Sequence, residues 1–344
     1  MAERRDLSLV DRLTSWDAKW YLQIAEHGYF GLTGTVDAAG RPYPDAPMGF
    51  FPLYPGIIKA LSHLGLSPVA AGLGVSTLAG IAASCGLLLI GRRVGDDRVS
   101  LILATLWAGS PMSITQSMVY TESLFVAFAV WALIGVLDHH WVAAGICTML
   151  AGLARSTATI LVVVVVAAAA IAAVRHRAER WPAVASAMVA PLGLLGYWGF
   201  VASRTGTLTS WQEIEFRGWG VRFDGGAETV GYVRSTLTRE SMPFELLVVI
   251  VTIGAVALAL LSVINRVPWP LAAYGCGVLI LAIGTAGFPF MRARFLLPAF
   301  PLLLPIAVGL ARRRTATAVA TAATFALAGC WYSAYSLTVW QYAI

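Results

Sequence analysis

Ile160-Leu161-Val162-Val163-Val164-Val165-Val166-Ala167-Ala168-Ala169-Ala170-Ile171-Ala172-Ala173-Val174 is the stretch that decides the fold. It carries no polar side chain and does not alternate. With the residues from 156 onward it is about the length a helix needs to cross a hydrocarbon layer. A lipid-facing backbone must satisfy its own N–H and C=O groups, which a continuous apolar run does only as a helix; a barrel strand would alternate. Comparable runs fall at about residues 69 to 91, 98 to 117, 119 to 137, 141 to 154, 182 to 203, 243 to 265, 268 to 288, 293 to 310 and 316 to 338. The chain therefore reads as an all-α polytopic membrane protein with about ten transmembrane helices.

Composition agrees, since 58% of the 344 residues are hydrophobic and 12% charged, which leaves no room for a separate soluble domain. A net charge of +6 in a soluble protein would suggest nucleic acid. Here the arginines cluster in short connections, where topology and anionic headgroups account for them, so membrane lipids are expected as partners and nucleic acid is not. Cys85, Cys147, Cys276 and Cys330 each lie inside an apolar run without paired spacing, which fits packing rather than a disulfide framework or a metal site. Asp138-His139-His140 reads as a loop, and no metal is expected.

Orientation follows from Arg92, Arg93 and Arg98, from Arg175, Arg177 and Arg180, from Arg266, and from Arg312, Arg313 and Arg314. Alternate threading puts all of these on one face, which is cytoplasmic by the positive-inside rule. Residues 1 to 68 are then an extracytoplasmic juxtamembrane region and 69 to 344 the transmembrane domain, with an outer loop at 204 to 242. The turn at Tyr120, the break at Arg155 and the segment 289 to 294 also fall outside. Leu7 to His27 reads as an amphipathic helix on the membrane, Thr33 to Pro47 as an irregular loop, and Phe50 to Leu66 as a peripheral or re-entrant helix. If 50 to 66 crossed instead, the Asp17 region would move to the arginine-rich side.

The unusual residues sit on the outer face. Asp17, between Trp16 and Trp20, is either a partly desolvated general base or a helix-start cap. Glu122, opening an apolar run after Tyr120-Thr121, is either a dipole-favoured first-turn acid or a functional group at membrane depth. Arg155 interrupts the apolar stretch from 141 to 174 and needs an anion, which is either a lipid phosphate or a buried carboxylate, Glu122 or Asp17. Arg292 and Arg294 stand on the face that should be poor in positive charge, which implies a phosphate contact or a topology error. Trp211-Gln212-Glu213-Ile214-Glu215-Phe216-Arg217-Gly218-Trp219 is either a sugar-binding surface or an interfacial helix anchored by tryptophans.

Trp16-Asp17-Ala18, Ile24-Ala25-Glu26-His27-Gly28-Tyr29, Phe50-Phe51-Pro52, Ser110-Pro111, Tyr120-Thr121-Glu122-Ser123 and Ala154-Arg155-Ser156 resemble, in order and spacing, the second GPI mannosyltransferase family of PIG-V type. The resemblance runs from Trp16 to about Ser156 and fades to general architecture beyond. That family lies in the GT-C superfamily of polyprenyl-phosphate-sugar-dependent glycosyltransferases. The resemblance implies a GT-C-like fold and an inverting transfer of mannose from polyprenyl-phosphate-mannose to a lipid-linked glycan or other hydroxyl acceptor outside the membrane. It carries an aspartate general base onto Asp17. Trp16, Glu26, His27, Tyr120, Glu122, Arg155, Trp219, Arg292 and Arg294 are the expected substrate-binding residues, with Arg155 on the departing phosphate and Arg292 or Arg294 sharing it. No cofactor is expected beyond the donor lipid.

Superfamily members carry a transmembrane helix ahead of the catalytic loop, whereas nothing in Met1 to Ser15 could span a bilayer. Either the chain starts downstream of the true start or the form is divergent. The Ala/Val/Arg-rich composition points to a bacterial plasma membrane with the active site outside. The competing classes are a lipid or small-solute transporter or flippase, against which no inverted repeat is visible, and an inactive membrane scaffold.

Overall fold

A computed structural model describes residues 7–340 and Tyr342. The chain begins with α1 (Leu9–Leu13), α2 (Asp17–His27) and α3 (Leu53–His63), followed by α4 (Pro68–Val94), α5 (Asp97–Ala108), α6 (Glu122–Leu137), α7 (Trp141–Gly152) and α8 (Ala158–Arg175). Next come α9 (Arg180–Val189), α10 (Leu192–Thr205), α11 (Ser210–Trp219) and α12 (Ala227–Thr238), then α13 (Pro243–Ile264), α14 (Trp269–Gly284), α15 (Arg292–Phe295), α16 (Leu304–Ala311) and α17 (Thr315–Thr338). Helices α4 and α13, the Arg177–Thr205 unit containing α9 and α10, and α8 are long and apolar enough to cross a membrane. A bent pair, Pro289–Phe295 with Leu297–Ala311 at 63°, makes a further broken span or re-entrant loop. The fold is the all-α polytopic membrane class expected, but several expected spans are shorter helices, among them α6, α7 and α14.

Local chemistry explains the boundaries. α4 starts where Ser67 caps the Ala70 N–H and Pro68 takes the first turn, and it ends with Arg92 and Arg93 over its C-terminal carbonyls. Asp96 caps α5 through the Val99 N–H. The run from 98 to 117 is divided because α5 stops at Gly109, and a 3-10 turn over Ser113–Gln116 follows. Pro298, Pro301 and Pro305 likewise keep the stretch after Arg294 from forming one helix, because each lacks a backbone N–H. The 293 to 310 run is therefore two helical pieces.

α6 is the hub, buried along nearly its whole length and packed against α4, α7 and α8. Glycines admit the closest approaches. A Cβ at Gly86 would overlap Val130, and one at Gly193 would overlap the Met149 carbonyl of α7.

The expected Leu7 to His27 helix is two helices. Thr14 and Ser15 turn their hydroxyls onto the carbonyls of Val10 and Arg12, and Trp16 adopts φ +59°. The Val119 N–H takes the Leu13 carbonyl, and the Tyr120 hydroxyl takes that of Ser15 at 3.3 Å. Partners from the segment before α6 thus absorb what the helix break releases, and Asp17 is left as the first residue of α2. Residues 33–47 are irregular except for a bridge between Val36 and Pro42 and a 3-10 turn at Ala46–Gly49. β1 (Arg222–Phe223) pairs antiparallel with β2 (Thr285–Ala286), tying the 204–242 segment to the strand that leads into Arg292.

Gly193→Ala is expected to lower stability by about 1 to 3 kcal/mol through overpacking. Gly196→Ala, on the same helix with open space around it, should be neutral or slightly stabilising. Thermal unfolding of both variants in detergent checks the contrast.

Candidate active site

Four charged side chains from four separated parts of the chain form one continuous run of ion pairs. Asp17 Oδ2 accepts from Arg294 Nη2 at 2.5 Å, and Arg294 Nε donates to Glu122 Oε1 at 2.6 Å. The same Glu122 oxygen accepts from Arg155 Nη1 at 2.5 Å. The run Asp17–Arg294–Glu122–Arg155 is formally neutral, which is what lets it persist away from water. Its middle members are sealed, with side chains of Glu122 at 1% and Arg294 at 3% exposure. Its end members are open, Asp17 at 31% and Arg155 at 17%. A carboxylate and a guanidinium are therefore presented from a shared, buried scaffold.

Neighbouring side chains fix this geometry. The Arg294 guanidinium lies 4.4 Å from the Tyr120 ring centre, a cation–π contact. Ser76 Oγ donates to the Tyr120 carbonyl at 3.3 Å and meets the Tyr54 hydroxyl at 2.7 Å. Thr121 Oγ1 accepts from Arg155 at 3.3 Å and lies 3.3 Å from the Tyr21 hydroxyl. The sequence reading did not single out Tyr21, Tyr54, Ser76 or Thr121. Their hydroxyls lie on apolar helices or in turns, and only the fold brings them to one place.

The aromatic motif 50–52 forms the adjoining wall. Trp20 stacks on Phe50 at 5.3 Å, and Trp219 meets both edge-on at 5.9 and 5.4 Å. The backbone here is clamped: the Tyr29 hydroxyl donates to the Phe50 carbonyl at 2.8 Å, Tyr197 donates to the Met48 carbonyl at 2.9 Å, and the Leu53 N–H donates to the Leu153 carbonyl at 3.0 Å.

The expected residues divide as follows. Asp17, Tyr120, Glu122, Arg155 and Arg294 are brought together, and Trp219 joins the wall beside them. Trp16 packs at the helix break. Glu26 and His27 pair with each other at 3.7 Å on the exposed far end of α2, roughly 14 Å along the helix from Asp17. Arg292 does not accompany Arg294: its Nε donates to Thr229 at 3.1 Å and its Nη2 lies 3.5 Å from Glu228, both of α12. Both arginines are buried, Arg292 at 1% and Arg294 at 3%, and they face different carboxylates, Arg292 that of Glu228 and Arg294 those of Asp17 and Glu122. A charged group this deep in a membrane fold is held by its carboxylates.

No family model matches the chain. The chain shares its fold with the solved structures of ArnT and AglB. It superposes on the crystal structure of ArnT from Cupriavidus metallidurans in the apo state with a TM-score of 0.58 and 15% identity, over 94% of this chain and 60% of that one. ArnT bound to undecaprenyl phosphate gives a TM-score of 0.53 at 14% identity, over 90% and 57% of the two chains. The oligosaccharyltransferase AglB from Archaeoglobus fulgidus, in complex with an inhibitory peptide and a dolichol-phosphate, gives 0.51 at 16%, over 98% and 53%. In sequence, a segment of 123 residues is 32% identical to GPI mannosyltransferase 2 of Chaetomium globosum, covering 34% of this chain and 26% of that protein. The chain thus spans about a quarter of that relative and little more than half of the solved structures.

Glu122→Gln should leave buried Arg294 and partly exposed Arg155 without their shared carboxylate and cost about 3 to 5 kcal/mol of stability. Asp17→Asn, at the open end, should cost less, because Arg294 keeps Glu122 as a partner and Asp17 is partly solvated. Melting curves and monodispersity of the purified variants check the difference.

Proposed function

We propose that the protein is an inverting mannosyltransferase that moves mannose from polyprenyl-phosphate-mannose to a hydroxyl of a lipid-linked glycan or similar acceptor at the extracytoplasmic membrane face. The observation that carries this reading is the neutral ion-pair run, which ends in one accessible carboxylate and one accessible guanidinium. An inverting transfer needs these two groups: a base for the acceptor hydroxyl and a cation for the departing phosphate.

Asp17 takes the acceptor's hydroxyl proton as its oxygen attacks the anomeric carbon from the face opposite the phosphate. The bond between that carbon and the phosphate oxygen breaks, and the electron pair leaves on the polyprenyl phosphate. Arg155 balances the added charge, with Glu122 fixing its direction. Arg294 holds Asp17 Oδ2 and orients the other carboxylate oxygen toward the acceptor. The fold shared with ArnT, solved with undecaprenyl phosphate, and with AglB, solved with a dolichol-phosphate, supports a polyprenyl-phosphate partner. The stretch resembling GPI mannosyltransferase 2 supports mannose as the sugar.

Asp17→Asn is expected to reduce transfer of labelled mannose from polyprenyl-phosphate-mannose by about 10²- to 10⁴-fold, with donor binding retained. A transporter or scaffold would tolerate the change, so full function in the Asn variant overturns the reading. Arg155→Ala should weaken donor use by about 2 to 5 kcal/mol, with partial rescue by Lys, which supplies charge without the bidentate fork. Donor titrations of the folded variants measure both.

A further inference from the structure

Trp211, Glu215 and Trp219 recur every four residues on α11 and so share one helix face. That face lies on the clamped backbone of the aromatic motif. Trp211 Nε1 donates to the Gly49 carbonyl at 3.3 Å and its ring packs on Phe51, while Trp219 packs on Trp20 and Phe50. Gly49 makes the room: a Cβ there would stand 2.7 Å from the Trp219 ring and 2.9 Å from Glu215 Oε1. Between two tryptophans, over a glycine that no other residue could replace without displacing it, sits a half-buried carboxyl that makes no hydrogen bond or ion pair among the described residues. The ion-pair run does not use it.

We propose that Glu215 is a sugar-recognition residue of this site, its carboxyl hydrogen-bonding a hydroxyl of a hexose laid against the Trp20–Trp219 wall. The inference rests on the transferase reading and adds to it the residue that selects among sugars. An aromatic face beside a lone hydrogen-bonding group suits a pyranose, whose C–H face stacks while its rim hydroxyls need polar partners. Of the other charged residues on α11, Glu213 accepts from Thr209 Oγ1 at 2.8 Å, and Arg217 lies over the Tyr43 ring and pairs with Asp37.

Burial raises the pKa of Glu215 most, the Asp17 carboxylate of α2 adds to this, and Arg155 opposes it, with the net value pushed up to about 8. Tyr197 of α10 also feels its charge. At neutral pH Glu215 is therefore an uncharged donor as well as an acceptor, so a glutamine can imitate it and an alanine cannot. Above about pH 8 the proton is lost, and a hydroxyl-accepting anion beside Asp17 replaces the donor.

The test compares wild type, Glu215→Gln and Glu215→Ala in purified full-length protein, with KM for polyprenyl-phosphate-mannose and for the acceptor measured separately from pH 6 to 9.5. Binding of octyl α-mannoside is followed alongside by intrinsic tryptophan fluorescence, which needs no turnover. The alanine variant should raise one KM by about tenfold, the loss of one ligand hydrogen bond. A rise in donor KM places the recognised sugar on the donor, and a rise in acceptor KM places it on the acceptor. In wild type that KM should climb above about pH 8, whereas the glutamine variant should stay flat there. If wild type transfers mannose but all three proteins share the same constants and pH profile, the role of Glu215 is overturned. If wild type transfers nothing while octyl mannoside binding still depends on residue 215, the transferase reading fails and sugar recognition stands.

Discussion

A single carboxylate oxygen, Glu122 Oε1, receives two guanidinium groups at 2.5 and 2.6 Å in a place sealed from water. Few arrangements in a membrane fold demand more of their surroundings. A lone arginine at that depth would be costly, and a lone glutamate equally so. Together with Asp17 they cancel, and α6 is oriented so that its first turn, where the helix dipole favours an anion, meets the break between α7 and α8 and the short α15. The rest of the fold supports this meeting point. The glycine contacts of α6 and α7, the Tyr54–Ser76–Tyr120 relay and the bent pair after Arg294 are each local solutions to holding the four charges in register.

Placing the open ends of the run apart from its sealed middle gives a site with two properties that otherwise conflict. Groups that act on substrate must be reachable, while groups that determine their direction must not be exchanged for water. Here the accessible members, Asp17 and Arg155, are each held by a buried partner of opposite charge. The hydroxyls of Thr121 and Tyr21 and the ring of Tyr120 complete the support without adding charge.

Much of this was legible in the sequence, and for identifiable reasons. Residues 156 to 174 revealed the membrane class because lipid leaves a continuous apolar run only one backbone solution. Asp17, Glu122 and Arg155 stood out because charges are scarce in such a chain, so each one needed a reason. Arg292 and Arg294 looked equivalent because spacing alone does not say which carboxylate each side chain will meet; packing sends Arg294 to Asp17 and Arg292 to α12. Glu215 lay within a quoted motif but went unassigned, although the four-residue spacing of Trp211, Glu215 and Trp219 carried the signal. The helix break at Trp16 and the pairing of Arg222–Phe223 with Thr285–Ala286 were not legible. Both depend on partners more than 60 residues away.

The origin of the four charges also bears on how the protein is made. Asp17, Glu122 and Arg155 precede Arg294 in the chain, so the segments that carry them leave the ribosome before the arginine that joins the two carboxylates. Glu122 and Arg155 can neutralise each other during that interval, and the acid left over, Asp17, is the one with the most contact with water. The run of four charges closes only when the bent helical pair that carries Arg294 joins it.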